Sequence, residues 1–320
     1  MKDTLDVLVE AIDRETPEIL SITLASVKGG SLPPFECGSH IDLHLSNGLI
    51  RQYSLWGSPE DRDRYRIAVK NEANSRGGSR HVHEALSVGD VIPISHPRNN
   101  FRMTPGAERV ILLAGGVGIT PILPMAEELE RNGTTYELHY FTRAPELTAF
   151  ADHIATSLIA DKTSHYFGLG PAEVHREMAR ILAPYIPGSH LYLCGPAPFI
   201  EMVLTEAGKN WPKEAVHLEY FSAAPPTSTD RHEGFEVHLA KTGQSFNVPA
   251  DMSIAEVLVE NGINIELSCE QGICGTCLTR VMDGVPDHQD MFLSDEEHAR
   301  NDQMTLCVSR CKGKRLVLDI

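Results

Sequence analysis

The sequence predicts a multi-domain chain: an antiparallel β-barrel, an α/β domain with a parallel sheet, and a smaller α+β domain. Three observations predict this organisation. Residues 1–104 contain short strand-like runs, residues 105–222 alternate strands with helices, and a Pro- and Ser-rich stretch at 223–233 precedes a segment, 234–320, that holds five of the seven cysteines. At 320 residues the chain is long enough for each domain to bury a core.

The first domain is predicted from strand-like runs and turn signals. The runs are LDVLVEAIDRE, HIDLHLSNG, RQYSLWG and YRIAVK, and they are broken by KGGSLPP, SNG and RNN. Because no long amphipathic pattern interrupts them, residues 1–104 are predicted to form a small antiparallel barrel.

The second domain begins near Arg109, where the pattern changes. RVILLAGG is a continuous apolar run that is followed by a glycine turn and a helical segment, PILPMAEELERNG. Another strand (YELHYFTR), a helical stretch, and the apolar LYLCG before PFIEMVLTEAG follow. Strands that alternate with helices indicate a parallel sheet covered on both faces.

The third domain follows SAAPPTSTDRHEG (222–234), which has no periodicity and is predicted to be a linker. FEVHLAKTGQSFNVP is predicted to be a hairpin with a Thr-Gly turn. SIAEVLVENG is predicted to be a helix, because Ser253 and Glu256 can form a capping box and Gly262 suits the C′ position.

Charge and hydropathy exclude some classes of function. The formal net charge is −16 and no basic stripe is present, which argues against nucleic-acid binding. No segment approaches the ~18–20 consecutive apolar residues of a membrane span. The N-terminal residues lack the basic, apolar and cleavage regions of a signal peptide, so we expect a cytoplasmic protein.

Three of the cysteines fall within CEQGICGTC, residues 269–277. With one more distant cysteine they give the spacing C-x4-C-x2-C-x29-C, which is the plant-type 2Fe-2S pattern. The predicted ligands are Cys269, Cys274, Cys277 and Cys307. Small residues at Gly272, Gly275 and Thr276 would let backbone N–H groups approach the sulfurs, and the fourth thiolate would arrive from a strand, MTLCVSR.

Two other interpretations of the cysteines remain open. A structural zinc site normally pairs two short cysteine knuckles, and here the second half offers only Cys307 and Cys311. The cysteines could also be structural thiols without a metal. Cys311, Cys37 and Cys194 are interpreted as thiols outside the ligand set. His81 with His83, and the run Asp287-His288-Gln289-Asp290, are interpreted as solvated turns rather than metal ligands.

A candidate phosphate site lies in the barrel. Arg51, Tyr53 and Ser54 share one strand, and Gly77-Gly78-Ser79 precedes a short helix-like run. Free N–H groups at a helix N-terminus and a guanidinium fork both suit a phosphate. Tyr53 offers a flat face to a flavin ring, and the backbone at Ser54 could meet its polar edge. The alternative is a surface arginine beside a core tyrosine and a glycine turn.

A candidate dinucleotide site lies in the α/β domain. The run Leu113–Pro121, LAGGVGITP, departs from G-x-G-x-x-G and GxxxxGK[ST] is absent, but a strand precedes it and a helix follows. Thr120 is predicted to be the N-cap and Pro121 the N1 residue. A second wall of the crevice is predicted at Cys194-Gly195-Pro196, because dinucleotides bind at the carboxyl ends of parallel strands. Close packing is the alternative role of these glycines.

In order and content, RQYSL, GGS, GGVGITP, CGP, HLEYF and the cysteine pattern resemble the phthalate dioxygenase reductase family, which includes the vanillate O-demethylase reductases. The resemblance covers nearly the whole chain. It implies an FMN-binding barrel, an NAD-binding α/β domain and a C-terminal ferredoxin-like (β-grasp) iron–sulfur domain. It further implies that electrons from NADH pass through FMN and a 2Fe-2S cluster to a Rieske-type oxygenase, the expected partner.

The resemblance also implies roles for individual residues. The residues implied to hold FMN are Arg51, Tyr53, Ser54, Lys70, Gly78 and Ser79. Those implied to line the nicotinamide-nucleotide crevice are Gly116, Thr120, Arg143, Cys194, Gly195 and Pro196. Ser54 and Thr120, beside the flavin, are the candidate catalytic residues. Phe221 is implied to lie close to the isoalloxazine, with an ordinary core aromatic as the alternative.

Three functions are compatible with the sequence. The favoured one is a reductase for an oxygenase; the others are a reductase for a cytochrome P450 or a small ferredoxin, and a zinc-stabilised interaction module without enzymatic activity. Residues 234–309 contain 13 acidic and 3 basic side chains. These acids, including Glu266 and Glu270, either solubilise the domain or steer a partner onto the cluster.

Overall fold

The computed structural model describes residues 4–73, 76–222 and 233–320. The chain divides into two compact units, Met1–Phe221 and Ser222–Ile320. The linker predicted at 223–233 lies outside the described residues except for Glu233. Within the described residues, no helix has the combination of length and hydropathy that a membrane span requires.

The first sheet of the N-terminal unit is antiparallel and has seven strands. These are β1 (Thr4–Thr16), β2 (Ile19–Ser26), β3 (Ser39–His44), β4 (Ile50–Trp56), β5 (Arg64–Lys70), β6 (Val91–Ser95) and β7 (Arg98–Asn99), with helix α1 (Gly78–Ala85) between β5 and β6. The order is β4-β5-β2-β1-β6-β3-β7, and an additional pairing of β3 with β4 closes six strands into a ring. The ring agrees with the predicted barrel.

The second sheet of this unit is parallel. Its strands are β8 (Arg109–Gly115), β9 (Thr135–Thr142), β10 (Thr163–Phe167), β11 (Ser189–Cys194) and β12 (Val216–Glu219). The intervening helices are α2 (Ile119–Arg131), α3 (Ala151–Thr156), α4 (Pro171–Leu182) and α5 (Ala197–Ala207). The order β10-β9-β8-β11-β12 places a topological switch point between β8 and β11, which is where open parallel sheets bind ligands.

Helices cover both faces of the parallel sheet, as the continuous apolar pattern of β8 predicts. Val110 and Leu112 belong to a buried cluster with residues of α2, whereas Ile111 and Leu113 belong to a cluster with residues of α4 and α5. All four side chains are at most 1% exposed. A strand that is buried on both faces cannot tolerate polar residues on either, which explains the unbroken run RVILLAGG.

The barrel and the parallel sheet share part of one hydrophobic core. Ile19 of β2 is buried in the same cluster as the α2 residues, and the Trp56 ring lies 4.4 Å from the Phe150 ring, centroid to centroid. The Cys37 Sγ donates a hydrogen bond to the Pro124 carbonyl at 3.2 Å. Cys37 is therefore a packing thiol, as predicted, and the two sheets form a single compact unit.

The C-terminal unit combines a five-stranded sheet with two short helices. Its elements are β13 (Phe235–Leu239), β14 (Ser245–Val248), α6 (Ile254–Glu260), β15 (Leu278–Asp283), β16 (Pro286–Asp287), α7 (Asp295–Arg300), β17 (Gln303–Thr305), β18 (Arg310–Cys311) and β19 (Arg315–Leu318). The sheet order is β14-β13-β19-β15-β17, and β16 pairs with β18. The predicted hairpin, the capping box of Ser253 with Glu256, and Gly262 at C′ of α6 are confirmed.

Candidate functional site

Arg51 and the glycine turn before α1 lie in direct contact. A Cβ atom built on Gly78 would lie 2.6 Å from Cγ and 2.7 Å from Nε of Arg51, so the arginine side chain passes over the first residue of the helix. Gly77, with φ of 98°, directs the chain into the helix, and as a glycine it brings no side chain of its own to the N-cap position. A guanidinium group beside a helix N-terminus fits a phosphate group.

The other barrel residues implied to bind a flavin lie on the neighbouring elements. Lys70 ends β5 and pairs with Glu72 at 2.7 Å, and the Ser79 hydroxyl accepts a hydrogen bond from the Glu72 backbone N–H at 3.2 Å. Tyr53 is partly buried against the barrel core, and burial raises the pKa of its hydroxyl. A neutral, partly accessible tyrosine ring fits stacking against a planar aromatic group.

The two glycine turns of the α/β sheet pack against each other. A Cβ atom at Gly118 would lie 2.3 Å from the Cys194 carbonyl oxygen, and one at Gly195 would lie 3.1 Å from the Gly115 Cα. The close-packing alternative therefore applies to these three glycines. Gly116 differs, because its φ is 54° and a Cβ there would meet nothing within 4 Å. The open space beside Gly116 fits a diphosphate.

Thr120 does not cap α2, so that prediction was wrong. The chain first makes a 3-10 turn at Gly116–Gly118, and α2 begins at Ile119 with Gly118 as its N-cap. The Thr120 hydroxyl donates to the Val117 carbonyl at 3.1 Å, and the residue is 2% exposed. Because the 3-10 turn occupies Gly116–Gly118, the helix follows it directly and starts two positions before the predicted N1 residue, Pro121.

Ser54 of β4 meets Glu219 and Cys194, which end β12 and β11. The Ser54 hydroxyl of β4 donates to the Glu219 carboxylate at 3.0 Å. Glu219 ends β12 and pairs in register with Cys194, the last residue of β11. Burial raises the pKa of Glu219 to about 7, and burial together with the nearby Glu219 carboxylate raises the pKa of Cys194. The site thus contains a carboxyl group that titrates near neutral pH.

Glu219 was not identified from the sequence. A glutamate in HLEYF resembles any exposed acid beside a strand. The β11–β12 pairing places it beside Cys194, and packing of the barrel against the parallel sheet brings it to Ser54, 165 residues earlier in the chain. The one available signal was its position at the end of an apolar strand. Arg143, implied to line the nicotinamide-nucleotide crevice, is 70% exposed and pairs with Glu18 at 2.6 Å. Phe221 is 39% exposed, so it is not an ordinary core aromatic.

The cysteine loop, residues 269–277, has left-handed backbone conformations at Glu270 and at two glycines. Gly272 and Gly275 have φ of 70° and 69°. A Cβ at Gly272 would lie 2.5 Å from the Val308 side chain, and one at Gly275 would lie 2.3 Å from the Phe292 ring. Left-handed φ values and close neighbours at both positions explain the glycines. They let the loop curl with three cysteines inside it, each at most 8% exposed.

The four sulfurs fall into two pairs. Cys277 Sγ and Cys307 Sγ lie 3.3 Å apart, and a hydrogen bond joins Cys269 to Cys274 and lowers the pKa of the Cys274 thiol to about 5. A single tetrahedral zinc, with Zn–S bonds of ~2.3 Å, would hold all four sulfurs within ~3.8 Å of one another. In the described residues, only one group of three or more metal-ligating side chains has all its ligand atoms within 4.8 Å of one another. That group contains no cysteine, so the four sulfurs are too far apart for one zinc. Two separate pairs of sulfurs fit a 2Fe-2S cluster, in which each pair binds one of the two irons.

Backbone N–H groups approach the sulfurs as predicted. The N–H of Gln271 donates to Cys269 Sγ at 3.3 Å, and that of Thr276 donates to Cys274 Sγ at 3.5 Å. Such donors stabilise thiolate ligands. Cys307 lies in the turn after β17, not on a strand, which corrects the prediction for the fourth ligand.

Comparisons with known proteins identify what this chain is similar to. The family described as "2Fe-2S iron-sulfur cluster binding domain" matches residues 237–312. A vanillate O-demethylase oxidoreductase from a Pseudomonas species is 47% identical over 99% of this chain and 100% of its own length. A solved phthalate dioxygenase reductase, described as a modular structure for electron transfer from pyridine nucleotides to a 2Fe-2S centre, is 37% identical with a TM-score of 0.77, covering 99% of this chain and 98% of that one.

A closed barrel, a parallel sheet with glycine turns at its switch point, and a unit with paired cysteine thiols define a modular oxidoreductase. The sequence identities and the coverage of the relatives also show the family. The chain belongs to the phthalate dioxygenase reductase family, which includes the vanillate O-demethylase oxidoreductases.

Proposed function

We propose that the chain is the reductase component of an oxygenase system, which oxidises NADH and delivers single electrons to a Rieske-type oxygenase. The observation that carries the proposal is the pairing of the cysteine sulfurs, Cys269 with Cys274 and Cys277 with Cys307. FMN accepts both electrons of a hydride and a 2Fe-2S cluster passes one electron at a time, which is the chemistry these groups supply when bound. The chain's own residues bind and orient these groups, and they exclude water from them.

The flavin site is proposed at the barrel corner around α1. Arg51, Lys70 and the N-terminus of α1 at Gly78 and Ser79 hold the phosphate. Arg51 passes over Gly78, and Lys70 pairs with Glu72, whose N–H bonds to Ser79. Tyr53 supports the ring system. Ser54 presents its backbone to the polar edge of the ring while its hydroxyl is held by Glu219.

The nucleotide site is proposed at the switch point between β8 and β11. Gly116 and the turn Cys194-Gly195-Pro196 hold the diphosphate, and the exposed guanidinium of Arg143 contacts a ribose. Thr120 and Phe221 flank the ring pair. Glu219, whose pKa is raised to about 7, is a positioning residue that fixes the Ser54 hydroxyl.

The domain boundaries follow from these sites and remain part of the proposal. Residues 1–104 are the FMN-binding domain, 105–222 the NAD-binding domain, 223–233 the linker and 234–320 the plant-type ferredoxin domain. Because NADH is a cytoplasmic reductant, the proposal places the protein in the cytoplasm.

A visible spectrum of the purified protein, before and after anaerobic NADH, tests the proposal. We expect flavin and iron–sulfur absorption that bleaches with NADH, FMN as the released flavin, and two irons per chain. FAD in place of FMN would reject the flavin assignment but keep the relay. A colourless protein that contains zinc at the cysteines would reject the function.

A cytochrome P450 is a second candidate for the electron acceptor. A solved type IV self-sufficient cytochrome P450 monooxygenase is 34% identical with a TM-score of 0.86 over 99% of this chain, which covers 41% of that longer protein. A P450 acceptor is therefore the alternative. Reduction of a Rieske oxygenase and of a P450 by the same NADH-reduced protein, compared at low and physiological salt, separates the two. If electrostatic steering by residues 234–309 operates, the rate falls as salt rises.

A further inference from the structure

We propose that His288, Asp290 and His298 form a zinc site that is distinct from the four cysteines. The ligand atoms of these three side chains all lie within 4.8 Å of one another. The sequence favoured a solvated turn at His288 and Asp290, but their side chains are 6% and 0% exposed, so that interpretation was wrong. A buried His-Asp-His group requires another explanation.

Asp290 is a buried carboxylate without an arginine or lysine partner in the described residues. Its Oδ2 accepts the Leu293 N–H at 2.9 Å, and its Oδ1 accepts the Ser309 hydroxyl at 3.2 Å. The remaining neighbours of Oδ1 are two imidazoles, His298 Nε2 at 3.3 Å and His288 Nδ1 at 3.6 Å. A buried carboxylate is costly unless a positive charge compensates it, so the site calls for a cation.

The imidazoles are close to the carboxylate but do not hydrogen bond to it. Neither nitrogen of His288, nor Nε2 of His298, has a hydrogen-bond partner in the part of the chain that the structure describes. The two rings stack with centroids 4.3 Å apart. Two neighbouring imidazolium rings would repel, whereas neutral imidazoles bind metal ions.

The distances fit a tetrahedral ion. Zinc bonds of ~2.0–2.1 Å at the tetrahedral angle separate ligand atoms by ~3.3 Å, close to the observed 3.3 and 3.6 Å. Ligand lone pairs then point at the ion rather than at each other, which explains close atoms without hydrogen bonds. Two imidazoles and one carboxylate suit zinc, and His298, whose side chain is 27% exposed, leaves a fourth position open to water.

The surroundings hold the three ligands in place and connect them to the cysteine loop. His298 lies in the last turn of α7, which a capping box of Ser294 with Glu297 fixes. The Met291 N–H donates to the Gly272 carbonyl at 3.0 Å, and Gly272 lies between Cys269 and Cys274. Zinc that binds only the folded unit stabilises it, so occupancy should slow the loss of the cluster.

The test is a calorimetric titration of the cluster-loaded protein with zinc chloride, after removal of loose metal by a weak chelator. We expect one zinc per chain, unchanged iron content, and slower bleaching of the cluster in urea. His298→Ala should weaken zinc binding at least tenfold, and so should Asp290→Asn. The matched control is His238→Ala. His238 is a half-buried histidine of the same unit whose ring bonds to Ser245, and its replacement should not change zinc binding.

X-ray absorption at the zinc edge identifies the ligands independently. Nitrogen and oxygen neighbours at ~2.0–2.1 Å support the proposal, and sulfur at ~2.3 Å overturns it, because zinc would then have entered the cysteine site. Unchanged zinc binding in His298→Ala also overturns it. That variant decides the question if Asp290→Asn fails to fold, since His298 is partly exposed. A chain that binds no zinc refutes the proposal while leaving the reductase function intact.

Discussion

The cysteine loop is formed by residues that are close in sequence. The crevice, defined here by Ser54, Cys194 and Glu219, is formed by residues that are distant in sequence. Three of the four predicted cluster ligands lie within nine residues, and the backbone between them is set by two left-handed glycines. The crevice instead gathers Ser54, Cys194 and Glu219 from three strands of two sheets. A local site depends on each member completely, whereas a distributed site shares its energy among many contacts. We therefore expect all-or-none losses at the loop and graded losses at the crevice.

The largest effect is expected from Cys274→Ser. The hydroxyl does not replace a thiolate ligand, so iron should fall from two per chain to none while bound flavin stays at full stoichiometry. Iron and flavin analysis of the same preparation measures both. Cys311→Ser is the control, because Cys311 lies outside the sulfur pairs and that variant should keep its iron. Loss of flavin together with the iron would break the comparison, since the two sites would not be independent.

The second effect concerns the loop backbone. Gly275 and Gly243 both have left-handed φ, 69° and 72°, but a Cβ at Gly275 would lie 2.3 Å from Phe292, whereas one at Gly243 would meet nothing within 4 Å. Alanine costs ~1–2 kcal/mol at either position for its backbone conformation. At Gly275 overpacking adds ~1–3 kcal/mol. The midpoint of cluster bleaching in urea should therefore fall more for Gly275→Ala than for Gly243→Ala, and equal shifts would contradict the clash.

Features that are local in the sequence could be predicted from it, and features that depend on distant parts of the chain could not. The cysteine spacing, the barrel strands and the parallel sheet were readable because periodicity and spacing are local properties of the chain. Glu219 and the burial of Asp290 were not, because each depends on which strands or loops become neighbours in the fold. The predicted start of α2 was two residues too late, since a 3-10 turn at Gly116–Gly118 has no sequence signal that separates it from a helix cap.

Glu219 tests the crevice through pH. Its pKa is raised to about 7 in the fold from an ordinary value of 4.5, so the folded state retains the proton over this interval while the unfolded state loses it. The stability it contributes is thus fully present below pH 4.5 and is lost as pH rises to about 7, by roughly 2 kcal/mol after allowance for its partial exposure. Glu219→Gln should lack this loss.

Unfolding of the N-terminal unit, followed by flavin release in urea at pH 5 and pH 7.5, measures that difference. Wild type should lose more stability than Glu219→Gln between the two pH values. Glu214→Gln, an exposed acid just before β12, is the control and should behave as wild type. If the stability of wild type and of Glu219→Gln changes equally between the two pH values, the Glu219 carboxyl group titrates as if it were exposed and the prediction is wrong.

The smallest effect is expected from Arg143→Ala. The guanidinium is 70% exposed, and its ion pair with Glu18 is worth at most ~1 kcal/mol, so thermal stability should barely change. If Arg143 contacts the ribose, the KM for NADH should rise severalfold with kcat nearly unchanged, because the contact is equally strong before and during hydride transfer. Arg176→Ala, which removes an equally exposed arginine from α4, should change neither quantity. A fall in kcat at Arg143 would show that the crevice depends on single residues as strictly as the cysteine loop does, and the distinction between local and distributed sites would fail.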